Sequence, residues 1–412
     1  MANKNFVIMV IGQIISVLGA ALLRFALSLY VLDETGRADL FALLLAISSV
    51  PVLLAPFGGA LADRFNRRNL MVVFDFLSSI VVFTFYTALL INHSSIFLIT
   101  IVMILLAILS TLYAPTVLAS IPLLVEEKKL EQANGIVNGI QALSNTAAPI
   151  LGGIVYGILG LKILVLVSGI FFLLSAVLEL FLYIPFVQRQ QSRHMLPTLI
   201  NDMKEGFHYV VKQSFILQCM VFAALLNLFL TPLFIVGIPI VLRMTMQSSE
   251  TLYGVGMGLI DFATILGALS MGIFAKKLAI HKLYYWLLVA AICTIPMGLS
   301  LQPLMLESGF YSSYVLLVVS ALCIAIILTI LSIYVMTLVQ KETPNIYLGK
   351  VMAIIMMVSQ CVAPIGQILY GLLFAKFNDT VSIPILIIGL LLVLLAIAMK
   401  KIWRYAEGGL VK

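Results

Sequence analysis

Twelve stretches of this chain are apolar, about 19 to 30 residues long and nearly free of charge, and that feature limits the possible folds more than any other. A hydrocarbon layer about 30 Å thick is crossed by about 20 apolar residues in helical form. The runs cover residues 6–32, 39–62, 70–91, 96–124, 133–160, 162–186, 214–242, 251–275, 283–302, 310–339, 350–375 and 381–399. Hydrophobic residues make up 63% of the 412 and charged residues 10%, against about 45–50% and about 25% in ordinary globular chains. So few charges cannot solvate the surface of a globule of this size, which excludes a water-soluble fold. The expected class is an all-α membrane protein with about twelve transmembrane helices.

A net charge of +7 would suggest nucleic acid in a soluble chain, but here charge is read loop by loop, and no nucleic-acid binding is expected. Cys219, Cys293, Cys323 and Cys361 all fall inside apolar runs without paired spacing, so free thiols are expected. The first run continues well past Lys4 without a small-residue cleavage site and reads as an uncleaved first helix. The one long polar stretch, 188–213, holds an apolar spacing that suggests a short amphipathic helix along the membrane surface. It divides the chain into an N-terminal six-helix bundle (1–187), a cytoplasmic central loop (188–213) and a C-terminal six-helix bundle (214–412). With the N-terminus inside, inner segments carry 19 of the 24 basic residues, outer loops carry Arg37, Lys162, Arg243 and Lys376, and Arg24 lies within the first span. That bias predicts both termini in the cytoplasm.

The halves repeat. Gly59-Ala-Leu-Ala-Asp63-Arg64-Phe-Asn-Arg67-Arg68 after the second span aligns with Gly272-Ile-Phe-Ala-Lys-Lys-Leu-Ala-Ile-His281 after the eighth. Ala148-Pro149-Ile150 recurs as Ala363-Pro364-Ile365, and Tyr156-Gly157 as Tyr370-Gly371, at nearly the same offset. Parallel six-helix repeats are expected of a transporter whose substrate site lies near the bilayer midplane. The chain has no phosphate-binding loop, since Gly349-Lys350 is followed by Val351, so ATP is not expected to supply energy. His93, His194, His208 and His281 are scattered through loops, and no metal, no cofactor and no enzymatic nucleophile is expected.

The segment Gly59-Ala-Leu-Ala-Asp63-Arg64-Phe-Asn-Arg67-Arg68 resembles motif A of the major facilitator superfamily, between the second and third spans. Together with the twelve runs, the central loop and the degenerate second copy, the resemblance covers essentially the whole chain and implies the major facilitator fold. Gly12-Gln13 and Ser16, Glu131-Gln-Ala-Asn-Gly135 and Asp202-Met-Lys-Glu-Gly-Phe207 resemble the branch holding macrolide-efflux and enterobactin-exporter proteins. Gly59 is suited to close helix approach, Asp63 sits at the membrane edge, and Arg64, Arg67 and Arg68 form a cationic cytoplasmic turn. The resemblance implies a conformational latch, with Asp63 meeting the start of the eleventh span, where a helix N-terminus favours an anion. The alternative is that the arginines satisfy topology and bind lipid phosphates.

Ser144-Asn-Thr-Ala-Ala148-Pro149-Ile-Leu-Gly152-Gly153 in the fifth span is similar to the family's antiporter motif, with two glycines replaced by small residues. The resemblance implies efflux, against a plain Pro kink at Pro149. The fourth span lacks the Arg of proton-linked drug exporters, so proton coupling through it does not carry over.

Arg24, Asp75, Glu179 and Asp261 are ionisable residues within spans, and each needs a partner, water or a role. Asp75 is expected to reach the arginines of the preceding turn. Glu179 is expected to make a local pair or a headgroup contact, about seven residues from the inner end of its span. Asp261 lies near mid-membrane, and Arg24 is its expected counter-charge in a substrate and proton pathway. Gln13 and Asn227, and Asn145 and Gln360, stand at equivalent positions of the two repeats and could line one central site or only join helices. The expected function is alternating-access export of a hydrophobic or amphipathic, macrolide-like molecule in exchange for entering protons. The alternatives are a lipid or siderophore exporter, or a non-transporting receptor or scaffold. The expected setting is a monomer among plasma-membrane lipids.

Overall fold

The computed structural model describes residues 4–91, 95–185, 195–274, 279–378 and 380–410, and among these the chain forms helices joined by short connections. The first span is α1 (Lys4–Thr35). The second, α2, is in three pieces, Ala38–Ser49, a 3₁₀ stretch Val50–Leu54 and Ala55–Arg64. Pro51 and Pro56 lack the amide hydrogen that a continuous helix requires. Then come α3 (Arg67–Leu90) and α4 (Ile96–Leu124). Asn66 caps α3 by accepting from the Arg68 amide, and Ser95 caps α4 by accepting from the Leu98 amide.

One run, Leu130–Leu180, holds the fifth and sixth spans. It breaks at Gly160, whose φ of 77° lies in the region that favours glycine. We call the parts before and after this break α5 and α6. The polar middle folds as α7 (Met195–Lys212). The seventh span, α8, starts as Ser214–Phe229 and widens into π-helical turns at Leu233–Gly237 and Val241–Thr245. The eighth to twelfth spans are α9 (Glu250–Phe274), α10 (Leu283–Leu299), α11 (Phe310–Glu342), α12 (Asn345–Lys376) and α13 (Ser382–Leu410).

Among the described residues, ten helical stretches are long and apolar enough to cross a membrane, and Leu283–Leu299 is a shorter apolar helix. One of the ten, Glu127–Leu180, contains the Gly160 break and so accounts for two spans, which agrees with twelve. The sixth span ends at Leu180, not at the expected residue 186. Phe97, Ile158, Leu269 and Leu304 are among the most exposed side chains. Apolar surface of this kind belongs against lipid, because helices that are hydrophobic all round have no polar face to turn outward. This is a multi-pass membrane protein.

Residue contacts divide the chain into two compact units. The first holds Met1–Thr35, Ile47–Met195 and Ser249–Gly258, and the second holds Gly36–Ala46, Leu196–Ser248 and Leu259–Lys412. The first turns of α2 and of α9 therefore each group with helices from the other half of the sequence. In the first unit, Phe6 and Met9 of α1, Met71 and Phe74 of α3, and Tyr113 and Val117 of α4 pack in one buried cluster.

Candidate functional site

The basic turn after α2 is tied into the first unit through carbonyls. Arg67 donates from Nε to the Ala62 carbonyl at 2.9 Å and from Nη1 to the Ala119 carbonyl, near the end of α4, at 2.6 Å. Arg68 donates to the Leu180 carbonyl at the last residue of α6. The final carbonyl of a helix lacks a helical partner and carries its negative dipole end, so Arg68 caps the end of α6, while Arg67 ties the start of α3 to α2 and to a carbonyl five residues before the end of α4. Arg64 is exposed, and the Asp63 side chain lies outside the described residues. Gly59 does not provide the expected close approach, since a Cβ there would meet nothing within 4 Å. The approach falls one residue earlier. A Cβ on Gly58 would lie 3.0 Å from the Leu112 Cα and 3.1 Å from the Pro115 ring.

Asp75 does not pair with those arginines. It is 2% exposed, its Oδ1 accepts from the Ser16 hydroxyl at 2.7 Å, and Ser175 lies beside it. Glu179 is fully buried, one residue from the end of α6, and its Oε1 accepts from the Tyr113 hydroxyl at 2.7 Å. A headgroup contact is therefore replaced by a hydroxyl from α4. Ser175 donates to the Gly12 carbonyl at 2.9 Å, and a Cβ on Gly12 would stand 3.4 Å from the Glu179 Cγ. A side-chain methyl at position 12 would therefore make ordinary contact with Glu179 and Ser175. Gln13 is 5% exposed, and its Oε1 has no hydrogen-bond partner.

The small residues of α5 make a helix crossing. A methyl at Gly153 would overlap the Glu250 carbonyl and lie 3.0 Å from the Gly254 Cα, and one at Gly254 would overlap the Pro149 carbonyl. Gly152 faces the Phe25 ring, 2.7 Å from where its Cβ would be, and Phe25 stacks on Tyr253 at 5.2 Å. The first unit therefore joins α5, α1 and the start of α9 through glycine. The second unit holds the repeat-related crossing. Gly371 of α12 packs against Ala38, Asp39 and Ala42 of α2, just as Gly157 of α5 packs against Glu250. Asp39 and Glu250 each stand in the first turn of their helix. Sequence reasoning missed Gly254 and Gly258, although their spacing of four is a small-residue signature.

The predicted amides separate into two kinds. Asn145 and Gln360 are exposed, and Asn145 accepts from Gln141 at 3.3 Å within α5. Asn227 is half-buried and donates to the Ala223 carbonyl at 3.0 Å within α8. Arg24, exposed on α1, belongs to the first unit, and Asp261, half-buried on α9, belongs to the second. Each lies eleven residues from the nearer terminus of its helix, at Thr35 and Glu250 respectively.

The amphipathic α7 docks on protein, which the expectation of a membrane-surface helix did not include. Gly206 sits against the Lys350 backbone, Lys350 Nζ reaches Glu205 Oε2 at 2.6 Å, and Tyr209 stacks on Tyr347 at 4.5 Å. Beside this contact Met203, Phe207, Val211, Ile354 and Met357, with Lys204 and His208, line a mainly apolar cavity of about 540 Å³.

The sequence profile of the Major Facilitator Superfamily matches residues 9–367. Macrolide efflux protein A of Streptococcus pyogenes is 24% identical over 406 residues, covering 95% of this chain and 94% of that protein. Among solved structures, the nucleoside transporter NupG is similar with a TM-score of 0.73 at 15% identity, over 98% of this chain and 100% of that one. A bacterial homologue of the iron transporter ferroportin gives 0.69 at 17% identity, over 96% and 98%. At these identities the solved structures speak to the fold alone. The profile, covering most of the chain, settles the family, and the twelve spans and the repeated helix crossings are in keeping with it: this chain is a transporter, not an enzyme, and belongs to the major facilitator superfamily.

Proposed function

We propose that this transporter exports a hydrophobic or amphipathic small molecule, of the macrolide class or similar in character, in exchange for entering protons. The observation that carries this reading is the near full-length match to a macrolide efflux protein. The antiporter-like segment around Pro149, Gly152 and Gly153 supports outward direction. Arg24, Asp261, Gln13, Asn227, Asn145 and Gln360 are the proposed residues of the substrate and proton pathway. The protein acts as a monomer in the plasma membrane, with the six-helix repeats 1–187 and 214–412 alternating access to one site. Expression in a pump-deficient host should raise resistance to macrolides, and an uncoupler should remove the difference. Unchanged macrolide and dye accumulation, with transport of lipids or siderophores instead, would replace this substrate class.

The basic-residue bias supports cytoplasmic termini. In a cysteine-free background, single cysteines replacing Ser94 or Ser249 should react with an impermeant thiol reagent in intact cells, and one replacing Ser192 should not. Ser249 is exposed, whereas its neighbour Ser248 is 1% exposed and would resist labelling on either side. The reverse pattern would invert the orientation.

Motif A is proposed to act in the exchange between states, not in substrate binding. Asp63→Asn should lower transport severalfold while expression and substrate affinity stay near wild type, because an equilibrium between conformations is altered and the site is not. Wild-type transport rates in Asp63→Asn would remove the latch.

A further inference from the structure

We propose that Asp75 and Glu179 share a proton and form a proton-binding site inside the first unit, additional to the Asp261 position. Four helices build it. Asp75 comes from α3, Glu179 and Ser175 from α6, Tyr113 from α4, and Gly12, Gln13 and Ser16 from α1. One oxygen of each carboxyl is satisfied by a hydroxyl, Ser16 on Asp75 and Tyr113 on Glu179, both at 2.7 Å. The other oxygens, Asp75 Oδ2 and Glu179 Oε2, are buried without a partner, and so is the carbonyl oxygen of the 95%-buried Gln13 amide.

The deficit is one-sided. The three unpartnered atoms of these side chains are acceptors, and the hydroxyls beside them donate mostly elsewhere, with Ser175 standing within reach of Asp75 as well. Ser16 gives its hydrogen to Asp75, Tyr113 to Glu179 and Ser175 to Gly12. An unmet buried acceptor is costly, and two neighbouring unpaired carboxylates add desolvation and mutual repulsion.

Among the described residues no cation is paired with either carboxyl, and the guanidinium placed beside Glu179, that of Arg68, is engaged with the Leu180 carbonyl. The α1 residues here are Gly12, Gln13 and Ser16, and the titratable groups facing the pair from the other helices are Tyr113 and the two carboxyls themselves. Arg67 and Arg68 start eight and seven residues before Asp75 on α3, about 10–12 Å along the axis from it, and they hold the carbonyls of Ala62, Ala119 and Leu180, the last of these next to Glu179 in sequence. A single proton relieves the charge and serves two of the three unmet acceptors, one that carries it and one that accepts from it. Bound to one carboxyl, it removes one negative charge and supplies the missing donor to an oxygen of the other carboxyl or of Gln13. Only an O–H bond forms on loading, with the proton taken from water on one side of the membrane. The same bond breaks on release to water at the other side.

Occupancy by a proton follows from this geometry, whereas its use in coupling rests on the exchange-with-protons reading above. The test is infrared spectroscopy of the purified full-length protein in liposomes near neutral pH, read as the protonated-carboxyl carbonyl band and its shift in deuterated water. The band is expected in wild type and in Asp261→Asn, and is expected to be lost in Asp75→Asn/Glu179→Gln. Tyr113→Phe, which removes only a hydroxyl, should shift the band without abolishing it, and it keeps the test open if the double variant fails to fold. Absence of the band in wild type, or its persistence unchanged in both a folded double variant and Tyr113→Phe, overturns the site. A rise of the thermal midpoint on adding sodium or calcium ions, seen in wild type and not in the double variant, overturns the proton in favour of a metal cation. If the band behaves as expected while efflux ignores an uncoupler, the proton site stands and the exchange reading falls.

Discussion

Gly153→Val is expected to abolish transport. A methyl alone would overlap the Glu250 carbonyl, and the atom behind it is the Gly254 Cα, so the obstruction is backbone, which cannot rotate aside. Overpacking a tight contact costs about 1–3 kcal/mol, and at about 1.4 kcal/mol per tenfold that depletes the crossed arrangement by about five- to more than a hundredfold. Gly254→Val should behave alike, because its Cβ would meet the Pro149 carbonyl from the opposite side. The contrast is Gly139→Ala. It is on the same helix, nothing lies within 4 Å of its Cβ, and alanine in a helix is favoured by about 0.8–1.0 kcal/mol over glycine. Transport by proteoliposomes, with size-exclusion profiles to establish folding, checks all three. Gly153→Val working at the wild-type rate would show that α5 and α9 do not need this approach.

Those glycines also show what the sequence could and could not carry. The existence of each span was readable because bilayer thickness fixes how many apolar residues a helix needs, and the break at Gly160 separated the fifth span from the sixth near where charge and glycine spacing had placed it. Which face of a helix meets a neighbour is another matter. Gly58 and Gly59 are adjacent and about 100° apart around the helix axis, and only the packing of α4 decides that Gly58 is the one in contact. Asp75 and Glu179 are 104 residues apart. Each read as a lone charge seeking a local partner, because nothing in either segment announces the other. The apolar stripe of α7 was legible as a stripe, but lipid and the side of α12 accept the same stripe. The glycine at 206 and the Glu205–Lys350 pair are what commit it to protein.

Asp261→Asn is expected to abolish efflux driven by a pH gradient while substrate-for-substrate exchange continues. The residue lies eleven positions into α9 from Glu250, about 16 Å along the axis and so near the middle of a hydrocarbon layer about 30 Å thick. Its backbone carbonyl accepts from Thr264 at 2.7 Å, which leaves the carboxyl to other partners, and its side chain is half-buried. A charge at such a depth is retained against a cost of at least about 2.5–3.5 kcal/mol, so a carboxyl that only filled space would be replaced by an amide without loss. An amide keeps the shape and the hydrogen-bonding capacity of the carboxyl but cannot take up and release a proton. Shape-dependent steps, including binding and the exchange of one substrate molecule for another, should therefore survive in Asp261→Asn. The proton-dependent step should fail by tenfold or more. Counterflow and gradient-driven uptake into the same inverted vesicles separate the two, and gradient-driven rates equal to wild type would remove Asp261 from the proton pathway.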